Sequence, residues 1–152
     1  MIADDAQDAR EVYGQYLAQQ GYRVVTAEDG VDALLRVRTC RPDIILMDLQ
    51  MPRLDGWEAI RQLKSDPRTA SIPVVAVSAY ALDSQRSAAR AAGADASLTK
   101  PCMPAQLLMM VRAMLSWRAA AVTEPGPAQL PGSYPLPVLH RLTRTSQQKT
   151  EM

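Results

Sequence analysis

Residues 44–56 read IILMDLQMPRLDG, an apolar run that ends in a carboxylate, Asp48, and passes into a turn. A short apolar run bounded by turn residues is typical of a buried strand. Such a strand has no structural use for a charge at its end. In an open parallel α/β sheet, however, ligands bind at the carboxyl ends of the strands. We therefore interpret Asp48 as a functional carboxylate at that edge of a sheet.

The same alternation of strand and helix patterns continues to about Ala121 and predicts βα units with a parallel sheet. Further strands are predicted at residues 23–27, 73–78 and 96–99, and a remnant of one at the start. Helices are predicted at 6–20, from Gly30 to before Pro42, at 57–64, at 84–92 and from Pro104 onward. Both of the first two helices carry apolar residues that are expected to face the core. They are Ala9, Val12, Tyr13, Tyr16 and Leu17, on one face at helical spacing, in the first helix, and Val31, Leu34 and Leu35 in the second.

Charge and cysteine usage narrow the class of protein. The 152 residues include 17 Lys and Arg against 16 Asp and Glu, so no global field favours nucleic acid or an anionic membrane as a partner. Cys40 and Cys102 are far apart and show no metal-type spacing, which predicts reduced thiols. The chain start is acidic, and no stretch reaches a membrane-spanning length. We expect a cytoplasmic protein.

The composition changes after Ala121. Five prolines lie between positions 125 and 137, and the chain then ends in polar residues. Such a segment has too little apolar surface to form a core. We predict a folded domain over residues 1–121 and a Pro-rich, disordered tail over 122–152. The one histidine, His140, lies in this tail, without an evident catalytic or metal-binding partner.

Polar residues stand at the ends of the predicted strands. Asp4 and Asp5 follow the first, Asp48 ends the third, Ser78 ends the fourth, and Lys100 follows the fifth. In a parallel sheet these ends share one edge. Three crowded carboxylates favour a hard cation such as Mg²⁺, which keeps water sites for a substrate phosphate. With a hydroxyl and an ammonium nearby, the set suits phosphoryl transfer, and a carboxylate can itself be the nucleophile.

These residues, with Met51-Pro52, Asp55-Gly56, Ala79 and Pro101, resemble the receiver domain of bacterial two-component response regulators, the CheY-like family. The resemblance covers about residues 1–120. It implies a (βα)5 doubly wound, flavodoxin-like parallel sheet in the order 2-1-3-4-5, here with a truncated first strand, and often a cis bond before Pro101.

The resemblance also implies roles for the residues at the strand ends. Asp48 would accept a phosphoryl group from a histidine kinase or a phosphotransfer protein. Asp4, Asp5, Asp48 and the backbone carbonyl of Gln50 would hold Mg²⁺, while Ser78 and Lys100 would contact the phosphoryl oxygens. The chain would thus be a signalling phosphoacceptor with a downstream protein partner. It would not be an enzyme beyond catalysing its own phosphorylation and dephosphorylation.

Alternatives remain open at several positions. Asp4 or Asp5 could cap the first helix, and Asp55-Gly56 is interpreted as a turn with a cap for the third. A haloacid-dehalogenase-like phosphatase also uses an aspartyl nucleophile with Mg²⁺ but needs a second aspartate two residues later, and Gln50 at that position argues against this class. Receivers commonly carry an aromatic residue where this chain has Ser97, so Tyr80 is a substitute candidate for transmitting the signal. A phosphorylation-independent scaffold and a receiver fragment of a hybrid kinase are the alternative functions.

Overall fold

The computed structural model of the chain describes residues 1–79 and 83–123. Five parallel strands form one sheet in the order β2-β1-β3-β4-β5, which confirms the predicted α/β fold. The strands are β1 (Ile2–Ala3), β2 (Thr26–Ala27), β3 (Ile45–Asp48), β4 (Val74–Ser78) and β5 (Ala96–Thr99). The helices are α1 (Gln7–Gln19), α2 (Gly30–Cys40), α3 (Gly56–Ser65), α4 (Asp83–Ala92) and α5 (Pro104–Thr123).

Apolar residues cover both faces of the sheet, as a parallel sheet between two helical layers requires. Because neighbouring residues of a strand point to opposite faces, Ile45 and Met47 join one apolar cluster while Ile44 and Leu46 join the other. Helices α2, α3 and α4 pack on the first cluster, and α1 and α5 pack on the second. With both faces covered, the strand ends are the part of the sheet left for chemistry.

The order of the strands creates a crevice at one place. From β1 the chain moves outward to β2, and the next strand, β3, lies on the other side of β1. The two strands are paired, with Ala3 opposite Met47. Their connections lead away in opposite directions, which opens a crevice at their carboxyl ends. Asp4 follows β1 and Asp48 ends β3, so the fold brings both carboxylates to this crevice.

The first two strands are short. β1 has two residues, in agreement with the expected truncated first strand. β2 also has two residues, fewer than the predicted 23–27. As an edge strand it pairs with β1 alone, and only Thr26 and Ala27 find ladder partners there. The predicted strand was too long because strand propensity does not reflect how many residues of a neighbouring strand are available for pairing.

The prediction that Val12, Val31 and Leu35 face the core is wrong, since they are 53%, 43% and 60% exposed. A helix turns about 100° per residue, so Val12 lies about 140° around the axis from the buried Leu17. In α2 the core-facing positions include the small Ala33, and Leu35 lies about 160° from it. Ala33 is fully buried while the larger Leu35 is exposed, so side-chain size in the sequence does not reveal which residue of α2 faces the core.

Part of the expectations concern residues outside the described ranges. They include Tyr80, His140 and nearly all of the predicted tail. Helix α5 continues to Thr123, two residues past the domain boundary that was predicted at Ala121. Within the described residues, none of the helices combines the length and apolar character needed to cross a membrane.

Candidate functional site

Three charged side chains meet at the crevice between β1 and β3. The side chain of Lys100, which follows β5, reaches across the end of β4. Its Nζ lies 2.6 Å from Asp4 Oδ2 and 2.8 Å from Asp48 Oδ2. Both carboxylates are buried, with Asp4 3% and Asp48 5% exposed. One ammonium thus holds together the ends of three different strands.

The second oxygen of each carboxylate accepts a backbone hydrogen bond. The Gln50 amide donates to Asp48 Oδ1 at 3.0 Å, and the Ala6 amide donates to Asp4 Oδ1 at 2.9 Å. Ala6 is itself the N-cap of α1 and makes no side-chain cap. The alternative in which Asp4 or Asp5 caps this helix is therefore wrong. Asp4 instead orders the residues just before the helix and turns its other oxygen to Lys100.

The charges of this cluster are unequal. Burial raises the pKa of Asp48, against the opposing effects of Lys100 and the Gln50 amide. Burial alone would lower the pKa of Lys100, but its hydrogen bonds to Asp4 and Asp48 outweigh it and raise that pKa. The two shifts therefore have different causes: burial for Asp48, and the two carboxylate partners for Lys100. Two buried carboxylates with one ammonium leave negative charge uncompensated.

Asp5 adds a third carboxylate to the crevice. Its side chain is exposed, and one oxygen from each of Asp4, Asp5 and Asp48 lies within 4.8 Å of the others. Carboxylate oxygens are the ligands that hard divalent cations prefer. The acidic cluster therefore fits a divalent cation in ligand type and in charge.

The other predicted site residues lie at the same edge. Ser78 ends β4 and is 6% exposed, and its backbone oxygen accepts a 2.7 Å hydrogen bond from the Lys100 amide. The expected cis bond between Lys100 and Pro101 is present. Gln50 contacts Asp48 through its backbone N–H, whereas the predicted metal ligand is its backbone carbonyl oxygen. The roles assigned to Ser78 and to the Gln50 carbonyl stay predictions.

The turn after Asp48 is pressed closely against α3. Asp55 caps this helix by accepting a 2.8 Å hydrogen bond from the Glu58 amide, as predicted. The Gly56 amide donates to Leu49 O at 3.1 Å. A Cβ at position 56 would lie 2.0 Å from the carbonyl oxygen of Asp48. Only glycine allows the helix to begin so close to the candidate nucleophile's own backbone.

The same turn is tied to α2 by contacts that the sequence reasoning missed. Arg53 adopts a left-handed conformation with φ 65° and forms ion pairs with Glu28, at 2.8 Å, and with Asp29. Asp29 is fully buried and caps α2, and Arg53 is the charge partner of its other oxygen. An aspartate immediately before a helical apolar pattern signals an N-cap, and Asp29 stands just before α2. The pairing with Arg53 has no local signal because the two residues meet only in the folded chain.

A second contact that the sequence reasoning missed joins α1 to Cys102, two residues after Lys100. The Tyr13 hydroxyl of α1 donates to the Cys102 carbonyl at 3.1 Å and lies 3.3 Å from the Cys102 thiol. The hydroxyl has one hydrogen, which the carbonyl receives, so the thiol is the donor in the second contact. Burial, followed by the contact with Cys102, raises the pKa of Tyr13 to about 12. Tyr13 therefore stays a donor at neutral pH.

Five parallel strands in this order, with carboxylates at the switch point and a lysine reaching over them, define the class of receiver-like α/β domains. The family model of the response regulator receiver domain matches residues 1–112. Response regulator MprA of Mycobacterium sp. (strain KMS) is 40% identical over 115 residues, which cover 76% of this chain and 49% of that protein. The chain belongs to the response regulator receiver domains and spans about half the length of the curated relatives it matches.

Solved structures agree. The chemotaxis response regulator CheY4 of Vibrio cholerae superimposes with a TM-score of 0.71 and 27% identity, over 74% of this chain and 94% of that one. The receiver domain of a signal transduction histidine kinase from Syntrophus aciditrophicus gives a TM-score of 0.72 and 29% identity, over 85% and 95% of the two chains. Phosphorylation on an aspartate is a general property of this family in two-component signalling.

Proposed function

We propose that this chain accepts a phosphoryl group on Asp48 from a histidine kinase or a phosphotransfer protein and thereby regulates contact with a downstream protein. The observation that carries the proposal is the shared ammonium: Asp48 and Asp4, both buried, compete for Lys100. A buried carboxylate without full charge compensation, at the switch point of a parallel sheet, is suited to chemistry and not to stability.

The Asp48 carboxylate would attack the phosphorus of a phosphohistidine. The new bond joins a carboxylate oxygen to phosphorus, the phosphorus–nitrogen bond breaks, and the histidine nitrogen keeps the electron pair. The product is an acyl phosphate, which water later hydrolyses to inorganic phosphate and the free carboxylate. Gln50 stands where a phosphatase would carry a second aspartate, so this hydrolysis is slow and the signal persists.

Mg²⁺ is the proposed cofactor, held by Asp4, Asp5, Asp48 and the backbone carbonyl of Gln50. The close approach of three carboxylate oxygens and the uncompensated negative charge support this assignment. Bound there, the ion supplies positive charge that offsets the negative phosphoryl oxygens. We assign the remaining phosphoryl contacts to the Ser78 hydroxyl and the Lys100 ammonium. Lys100 can leave a carboxylate for a phosphoryl oxygen without losing an anionic partner.

We propose a receiver over residues 1–121 with a Pro-rich tail over 122–152, in the cytoplasm, where Cys40 and Cys102 would stay reduced. The family match and the receiver domain of a histidine kinase among the structural neighbours support a kinase or phosphotransfer protein as donor. That structural neighbour equally supports the alternative that the chain is a receiver fragment of a hybrid kinase.

One observation favours a second candidate, a receiver fold that acts as a scaffold without phosphorylation. Ser97 is exposed on β5, where receivers commonly carry an aromatic residue whose rotation signals phosphorylation. Serine cannot transmit a change by packing, so the output of the switch would be muted.

Incubation with phosphoramidate and Mg²⁺, followed by intact mass measurement, distinguishes the two candidates. We expect one added phosphoryl group on the wild type, its loss in Asp48→Asn and its loss when Mg²⁺ is chelated. Asp43→Asn is the matched control, because Asp43 precedes the same strand at its opposite end and its side chain is 85% exposed. It should be phosphorylated like the wild type. An unmodified wild-type mass would support the scaffold, and a phosphoryl group retained in Asp48→Asn would exclude Asp48 as the acceptor.

A further inference from the structure

Lys100 is held by hydrogen bonds on both sides of its position in the chain. On one side its own amide donates to the Ser78 carbonyl at 2.7 Å, which continues the pairing of β5 with β4. On the other side the Cys102 carbonyl, two residues later, accepts from Tyr13 at 3.1 Å. The segment between them is the connection from β5 to α5, and Tyr13 is its attachment to α1.

Helix α1 is also attached to Asp4, one of the two residues whose carboxylates Lys100 contacts. The Ala6 amide, at the N-cap of α1, donates to Asp4 Oδ1, and the Arg10 guanidinium donates to the Asp4 carbonyl at 2.6 Å. One helix thus holds Asp4 near its first turn and the segment carrying Lys100 through Tyr13. The 2.6 Å contact between Lys100 Nζ and Asp4 Oδ2 depends on the relative position of those two attachments.

We propose that Tyr13 is a positioning residue for Lys100. The hydrogen bond from the Tyr13 hydroxyl to the Cys102 carbonyl holds the β5–α5 connection where the Lys100 ammonium reaches Asp4 and Asp48. The part of this inference that concerns phosphorylation rests on the proposed function. The hydroxyl does not touch the reacting atoms and acts through the backbone of residues 100–102. Removal of the Tyr13 hydroxyl therefore makes the Lys100 ammonium more mobile, while the two carboxylates keep their positions.

Tyr16 provides a matched control. It lies one turn further along α1, is half-buried like Tyr13 and packs on the same apolar cluster. Within residues 1–79 and 83–123 its hydroxyl makes no hydrogen bond. Tyr13→Phe and Tyr16→Phe remove the same atom from equivalent surroundings, and only the first removes a contact to the β5–α5 connection. A general loss of packing would affect both.

The first measurement is the rate at which an amine-acylating reagent labels Lys100, read by peptide mass. We expect labelling to rise about fivefold in Tyr13→Phe, the equivalent of one neutral hydrogen bond. Lys64, which contacts Asp95 at 2.7 Å at the other edge of the sheet, serves as an internal reference that should not change. Cys102→Ala removes the thiol and keeps the carbonyl, so it should label like the wild type.

The second measurement is phosphorylation by phosphoramidate over a range of Mg²⁺ concentrations. We expect Tyr13→Phe to lower the maximal rate about fivefold, with the half-saturating Mg²⁺ concentration unchanged, because the carboxylates keep their positions. A purely structural role would move both quantities together.

The outcomes separate the two proposals. Equal Lys100 labelling in Tyr13→Phe and Tyr16→Phe overturns the positioning role, whatever the phosphorylation result. Faster labelling in Tyr13→Phe alone, with a wild type that takes no phosphoryl group, upholds the positioning of Lys100 and refutes the proposed function. A Cys102→Ala variant that behaves like Tyr13→Phe would also contradict the inference, since the carbonyl contact would then not be the one that matters.

Discussion

Replacing Gly56 by alanine should produce a direct steric clash with the backbone of Asp48. The added Cβ would lie 2.0 Å from the Asp48 carbonyl oxygen and 2.7 Å from Leu49 Cα. Ordinary contact begins at about 3.4 Å, so the start of α3 and the turn after β3 must separate by about 1.4 Å, the difference between 3.4 and 2.0. Both groups are backbone in a packed region, and neither can rotate away.

The magnitude follows from that displacement. Overpacking of a rigid site costs about 1–3 kcal/mol, here at the upper end because the clash is with backbone atoms. The 3.1 Å hydrogen bond from the Gly56 amide to Leu49 O is lost by the same movement, at a cost of about 1 kcal/mol. Together they lower the free energy of unfolding by about 3–4 kcal/mol. For a domain of this size that corresponds to a melting temperature lower by about 10 °C or more.

Gly14→Ala is a control that should change stability in the opposite direction. Gly14 lies inside α1, and a Cβ there would meet Val24 Cγ1 at 3.7 Å, an ordinary contact. Alanine in a helix interior is better than glycine by about 1 kcal/mol, so this variant should melt a few degrees higher. Thermal melts of the wild type and both variants, followed by circular dichroism, provide the test. A Gly56→Ala midpoint within about 2 °C of the wild type would refute the argument that α3 is fixed against Asp48.

Two further predictions concern the site and its support. Burial raises the pKa of Asp48, so the folded state binds its proton more tightly than the unfolded chain, and the ionised carboxylate reduces stability above the raised pKa. Asp48→Asn should therefore unfold at a higher urea concentration than the wild type at pH 7 without divalent cations. The difference between the two urea midpoints should shrink as the pH falls toward 4 or when Mg²⁺ is added. A difference that widens on acidification would contradict this. Asp55→Ala should lose about 1 kcal/mol because the Glu58 amide loses its cap. Asp55→Ser should retain most of that stability, and equal urea midpoints for the two variants would exclude capping as the cause.

The sequence predicted the strands whose apolar runs were continuous and the residues at their ends. β3, β4 and β5 lie within one residue of their predicted bounds. For β3 and β4 the reason is that both are buried along their whole length and begin as a continuous apolar run. Helix faces were less predictable. The core-facing residue of α2 is the small Ala33, and hydrophobic size in the sequence pointed instead to Leu35, which is 60% exposed.

The chain by itself determined the kind of chemistry: carboxylates, a hydroxyl and a lysine at the ends of successive strands, each marked by the switch from an apolar run to a turn. Those signals are local, because burial and turn formation act over a few residues. Only the tertiary structure decided how these groups share their charges. Asp4, not Asp5, is the buried partner of Lys100, and Tyr13, Arg53 and Gly56 hold the surrounding segments. These contacts join residues far apart in sequence, and packing geometry, which has no periodic signature, chooses the partners.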